Sequence, residues 1–148
     1  MSSFRFPLQK VLDWRQTQLD LEEARLQQRA AALEAVDRSR AELEAASVQT
    51  EVEVRRWNPV AGRDLEALGG FRLHVRAREE ALAAERAGCA AALAAQQAAM
   101  LEARRRCRLL ERLKEKRLAE WKAATDREME ELASECFLAQ WSAGRGRL

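Results

Sequence analysis

The chain contains no tyrosine, one histidine and two prolines among its 148 residues, and aromatic side chains make up only 5% of it. A chain of that length is ordinarily long enough for one globular core, but so few large side chains leave little to fill it. With His74 the only histidine, no Ser/His/Asp or Cys/His constellation is apparent, so the sequence predicts no catalytic centre and no enzyme. No apolar run approaches the length that a membrane-spanning helix needs, and Arg5 and Lys10 are not followed by the apolar core of an export signal. The pair Gly69-Gly70 precedes Phe71 and Arg72, not the Lys-Ser/Thr of a phosphate-cradling loop, which argues against nucleotide hydrolysis by that device. Neither a cofactor nor a metal is expected. Cys89, Cys107 and Cys136 match no metal-binding spacing and leave one thiol over in any disulfide scheme, as reduced, semi-buried helix residues of a cytosolic protein would.

What the chain has in abundance is Ala, Leu, Glu, Arg and Gln, the strong helix formers, with 34% charged residues. Its 26 basic and 24 acidic side chains are interspersed and leave a net charge of +2. Such a balance is poor support for nucleic-acid binding. A narrow apolar stripe on each of two long helices needs far less bulk than a globular core, so the composition favours a rod.

The stripe is legible. Leu12, Leu19, Leu26 and Leu33 recur every seventh residue, and Leu8, Val36 and Leu43 fall at the intervening heptad positions. Arg15, Glu22 and Arg29 interrupt that intervening row, which predicts a weakened seam open to a partner. Glu34 with Arg38 and Glu51 with Arg55 stand four apart, as stabilising pairs along one helix do. A first helix is predicted over about residues 7–57, with Pro7 in its first turn, and Trp57-Asn58-Pro59-Val60-Ala61-Gly62 stops it. The turn spans about 58–64, or extends to 70 if the glycine pair delays the restart. Asp64 is a candidate cap. A second helix is predicted over about 71–141, with Leu68, Val75, Leu82 and Cys89 in one seven-residue row and Leu93, Met100 and Cys107 in the next, a jump that implies a phase shift. A third apolar set, Leu110, Leu113, Leu118, Trp121, Met129, Leu132 and Cys136, follows helical spacing, and a frayed tail is expected over 142–148.

Together these features predict an all-α fold: a long antiparallel two-helix coiled-coil hairpin, one elongated domain whose second helix is longer than the first. Folding back about residue 61 places Phe4 near Leu118 and gathers Phe4, Phe6, Trp14, Trp121 and Trp141 at the open end. Aromatics and arginine are common interface anchors, although the same residues would also serve to staple the chain ends together. Trp57, Phe71 and Val75 pose the same choice at the other end. The cluster Arg104, Arg105, Arg106, Arg108 and Arg112 reads either as a solvated helix face or as a contact for an acidic protein, in preference to nucleic acid. Glu130 and Glu131 are adjacent and so diverge by about 100° around a helix, which suits solubility better than acid-base chemistry.

The opening Phe4-Arg5-Phe6-Pro7-Leu8-Gln9-Lys10-Val11-Leu12-Asp13-Trp14-Arg15 resembles the start of the flagellar export protein FliJ family, whose members begin with an aromatic-basic-aromatic-x-Leu-Gln-Lys-Val-Leu-x-x-Arg string. Leu110-Glu111-Arg112-Leu113-Lys114-Glu115-Lys116-Arg117, followed by Trp121 and Glu128-Met129-Glu130-Glu131-Leu132, is similar to that family's C-terminal signature. Ala133-Ser134-Glu135 stands near where the family commonly has an Asp-Glu pair. The resemblance implies a cytoplasmic stalk of the bacterial flagellar type III export apparatus, peripherally associated with the inner membrane at the basal body. It implies binding to the hexameric export ATPase, promotion of its assembly, contact with the cytoplasmic domain of the export gate and dealings with export chaperones. Carried over, the ATPase-binding residues are Leu8, Val11, Leu12, Arg15, Leu113, Lys114, Arg117 and Trp121. The export-gate residues are Leu43, Phe71, Val75 and Leu82.

The charge balance, the lack of a long apolar run and the hairpin geometry predict a monomeric hairpin with no nucleic-acid partner and no direct membrane insertion. The competing readings are a structural coiled-coil spacer, the equivalent stalk of a virulence type III secretion system and a basic RNA-binding rod.

Overall fold

The structure, a computed structural model, describes residues 3–146. Among them the fold is all-α: helix α1 runs over Gln9–Arg56 and helix α2 over Gly62–Arg145, 48 and 84 residues long. No strand occurs among the described residues. The second helix is the longer, as expected.

Local chemistry sets the ends of α1 within two residues of the expectation. Pro7 has no N–H and, with Leu8, occupies a turn just ahead of the helix; Gln9 N–H donates to the Phe6 carbonyl at 3.1 Å and Leu12 N–H to the Leu8 carbonyl at 2.9 Å. At the other end Trp57 N–H donates to the Val54 carbonyl at 3.1 Å, a tighter last turn, before Asn58 and Pro59 break the ladder.

The start of α2 corrects the expected restart at 71. The Ala61 carbonyl accepts from Asp64 N–H at 3.0 Å and from Leu65 N–H at 3.3 Å, while Asp64 Oδ2 accepts the Ala61 N–H at 3.2 Å. Asp64 therefore does cap the helix, but from its third position, reaching back as the acidic half of a capping box does. Gly69 and Gly70 lie inside α2. Each costs about 1 kcal/mol against alanine, a penalty that an 84-residue helix absorbs once the preceding turn is capped and its stripe is packed.

The expected frayed tail is corrected as well, because α2 continues to Arg145; Arg147 and Leu148 lie outside the described residues. Ser142 Oγ donates to the Ala139 carbonyl at 2.9 Å, and the Arg145 guanidinium sits 4.1 Å from the Trp141 ring, one turn back. Extending an existing helix by a residue is cheap compared with starting one.

The chain divides into two units, each built from a stretch of both helices. The turn unit is Leu19–Ala103. Its helices are antiparallel: Arg72 Nε donates to Glu51 Oε1 and Arg86 Nε to Asp37 Oδ1, both at 2.7 Å, and both pairs are centred between residues 61 and 62. Glu51 thus reaches across to Arg72, where the sequence pointed to Arg55. Leu19, Val36 and Val54 from α1 and Val75 and Leu82 from α2 are buried, with Leu26, Leu33, Leu43, Leu68, Phe71 and Leu93 half-buried beside them. Each such burial is worth about 1.5–3 kcal/mol.

The interruptions in the α1 stripe behave differently from their expectation. Glu22 is half-buried and accepts from the Gln96 side-chain amide through its carboxylate, and the same amide donates to the Glu22 backbone carbonyl at 3.1 Å. A polar pair fills the seam there instead of leaving it open. Arg29 is exposed.

The terminal unit comprises Met1–Gln18 and Arg104–Leu148. Its two segments are also antiparallel: Cys107 Sγ donates to Gln16 Oε1 at 3.2 Å, and Phe4, nearer the N-terminus, meets Trp121, further along α2. Phe6, Leu12 and Cys107 are buried, and Leu110, Leu113, Leu118 and Trp121 are half-buried. Cys107 is thus more buried than expected, Cys89 is half-buried and Cys136 is exposed.

The phase of the α2 stripe is corrected too. The less exposed residues of α2 alternate by fours and threes from Leu82 through Arg86, Cys89, Leu93, Gln96, Met100, Ala103, Cys107 and Leu110 to Lys114, so the two seven-residue rows are the two edges of one stripe on that helix. The shift comes later, where two four-residue steps run from Leu110 to Lys114 and on to Leu118.

Candidate functional site

The terminal unit brings the two sequence motifs together. Phe4 and Trp121 meet with ring centroids 6.0 Å apart and planes inclined by 53°, a favourable aromatic geometry. Phe4 was expected opposite Leu118, and the offset is under one helical turn. Around this pair lies a groove of about 710 Å³ lined by Phe4, Phe6, Leu8, Leu113, Arg117 and Trp121, with Glu120 also at its wall. A neighbouring groove of about 540 Å³ is lined by Phe4, Phe6 and Pro7 together with Arg5, Lys10 and Lys114. That second lining carries three cations and no carboxylate.

Of the eight residues that the resemblance assigns to ATPase binding, Leu8, Leu113, Arg117 and Trp121 share the first groove and Lys114 lines the second. Leu12 is only 8% exposed and serves the seam, so it holds the site together without presenting a surface. Val11 is 42% exposed but lines neither groove, and Arg15 lies with its guanidinium 4.8 Å from the exposed Trp14 ring. The expected gathering of five aromatics is therefore reduced to three: Phe4, Phe6 and Trp121 meet, whereas Trp14 and Trp141 each stack with an arginine on their own helix.

The residues assigned to the export gate belong to the turn unit. Val75 and Leu82 are 6% and 2% exposed, so their side chains are spent on the opposing helix, and only Leu43 and Phe71 remain half-open. Trp57 is exposed at the turn and His74 is exposed on α2. Arg104 is half-buried, while Arg105, Arg106, Arg108 and Arg112 are exposed.

Sequence reading missed Arg5, Lys10 and Ser3 as groove residues and Gln96 as the partner of Glu22. Both are polar residues at seam positions, but the fold-back centre alone would set Glu22 opposite about residue 101, so this pairing emerges only from the three-dimensional geometry.

No cluster of three or more His, Cys, Asp or Glu side chains suited to a metal occurs among the described residues, and no described helix is long and apolar enough to cross a membrane. What the fold and the site define is an all-helical, antiparallel two-helix protein with an aromatic, partly basic groove at its chain ends. No family model, no curated protein and no solved structure matches the chain.

Proposed function

We propose that this protein is a non-enzymatic stalk or adaptor of the bacterial flagellar type III export apparatus, which binds the hexameric export ATPase through its terminal unit. The observation that carries the reading is the meeting of both terminal motifs at one place: Phe4, Phe6 and Leu8 from the opening string and Leu113, Arg117 and Trp121 from the C-terminal signature line one groove. Two weakly specific strings far apart in sequence acquire more weight when they assemble a single aromatic surface with arginine, the residue types that anchor protein interfaces. Contact with the export gate and with export chaperones, and a cytoplasmic position held at the inner membrane through those partners, complete the proposal. The gate contact rests on Leu43 and Phe71, the two assigned residues that keep accessible surface.

Adding the purified protein to a purified export ATPase tests the reading. ATP turnover should rise with concentration, and the double variant Trp121→Ala, Leu113→Ala should lose most of that rise while remaining helical by circular dichroism. No change in turnover over the whole concentration range would contradict it.

A further inference from the structure

Past Thr125 every described residue of α2 is exposed, yet the apolar stripe does not stop. Met129, Leu132 and Cys136 continue the row of Leu118, Trp121 and Thr125 at four- and three-residue steps, and Met129 and Leu132 are 46% and 56% exposed. This bare stripe is an extension of an interface that the terminal unit already uses. Its edges are acidic: helical spacing sets Asp126 along one side and Glu128 and Glu135 along the other, while Arg127 is turned to the far face, in a hollow that it shares with Glu130, Glu131, Ser134 and Glu135.

The same unit holds the complementary surface, the groove floored by Phe4, Phe6 and Pro7 and rimmed by Arg5, Lys10 and Lys114. A helix cannot fold back on itself without breaking, and α2 is unbroken to Arg145, so a chain's own acidic segment does not reach its own groove. Two acidic segments laid side by side would set like charges against each other. The stripe and the groove therefore match between two copies and not within one.

We propose that the acidic, stripe-bearing end of α2 in one copy docks on the basic aromatic groove of a second copy, and reciprocally, to form an antiparallel two-fold dimer. A two-fold axis near Ala124 sets residues 128–135 of one chain alongside residues 113–120 of the other, which brings the carboxylates of the stripe edges to the groove's cations. The dimer covers the surface assigned above to the ATPase, so self-association and ATPase binding compete. It is nevertheless a property of the pure protein and is tested without any partner.

Sedimentation of the full chain should show a reversible monomer–dimer equilibrium in 50 mM salt that weakens at least about tenfold in 500 mM, because exposed charge pairs are screened. Two charge-reversed proteins then sharpen the test: Asp126→Lys, Glu128→Lys, Glu135→Lys in one, and Arg5→Glu, Lys10→Glu, Lys114→Glu in the other. Each alone should sediment as a monomer with unchanged helical circular dichroism, and their equimolar mixture should regain the dimer, since both contacts are then complementary again. A monomer at all concentrations in low salt, a dimer that survives in either variant alone, or a mixture that fails to associate would each overturn the proposal. Loss of ATPase stimulation in an otherwise dimerising protein would count against the stalk reading alone.

Discussion

In the turn unit, apolar stripes from both helices face each other over their whole length, cross-helix ion pairs flank them, and Gln96 answers Glu22 in the seam. In the terminal unit the short N-terminal segment packs on the start of a longer stretch of α2, and every described residue of α2 beyond Thr125 is exposed. The same building material thus serves two ends. Where both stripes are covered, side chains contribute to stability; where one stripe outruns the other, large apolar groups remain available for a partner.

A matched pair of truncations should expose that contrast most sharply. Leu82→Ala, at a side chain only 2% exposed, should cost about 2–5 kcal/mol in urea unfolding, whereas Leu132→Ala, on the bare segment, should stay within about 0.5 kcal/mol. Equal losses at the two sites would erase the distinction. Next in size is a gain: no atom lies within 4 Å of a Cβ built at Gly69 or Gly70, and neither has a left-handed backbone. Replacing both with alanine should therefore stabilise the turn unit by about 2 kcal/mol in total, read as a higher Tm. Gln96→Ala should cost about 1 kcal/mol, because it strands a half-buried Glu22 carboxylate, and the loss should shrink when Glu22 is also replaced by leucine. Smallest is Arg86→Ala, whose exposed pair with Asp37 should be worth under about 1 kcal/mol and should matter less as salt is raised.

Much of this architecture is legible from the residues. The seven-residue apolar rows set both helices, and the fold-back expected about residue 61 falls within a residue of the observed centre. The start of α2 was not legible, because intrinsic propensity weighs against Gly69-Gly70 while the Asp64 to Ala61 bond that anchors the helix upstream emerges only from three-dimensional geometry. The candidate site was half legible. Its aromatics and Arg117 stand out by type, but which of them meet depends on the register between the two chain ends, and a shift of three residues replaces Leu118 by Trp121 opposite Phe4. Burial could not be assigned one residue at a time either: Leu12, Val75 and Leu82 have the same chemistry as exposed Leu8, and only the opposing helix distinguishes them.

The division of labour between the two units is tested most directly by hydrogen exchange of the full chain with and without a purified hexameric export ATPase, at a concentration where the chain alone sediments as a monomer. New protection should appear in residues 4–10 and 113–121 and leave residues 26–96 unchanged. Protection concentrated in the turn unit, or absent throughout, would contradict the account.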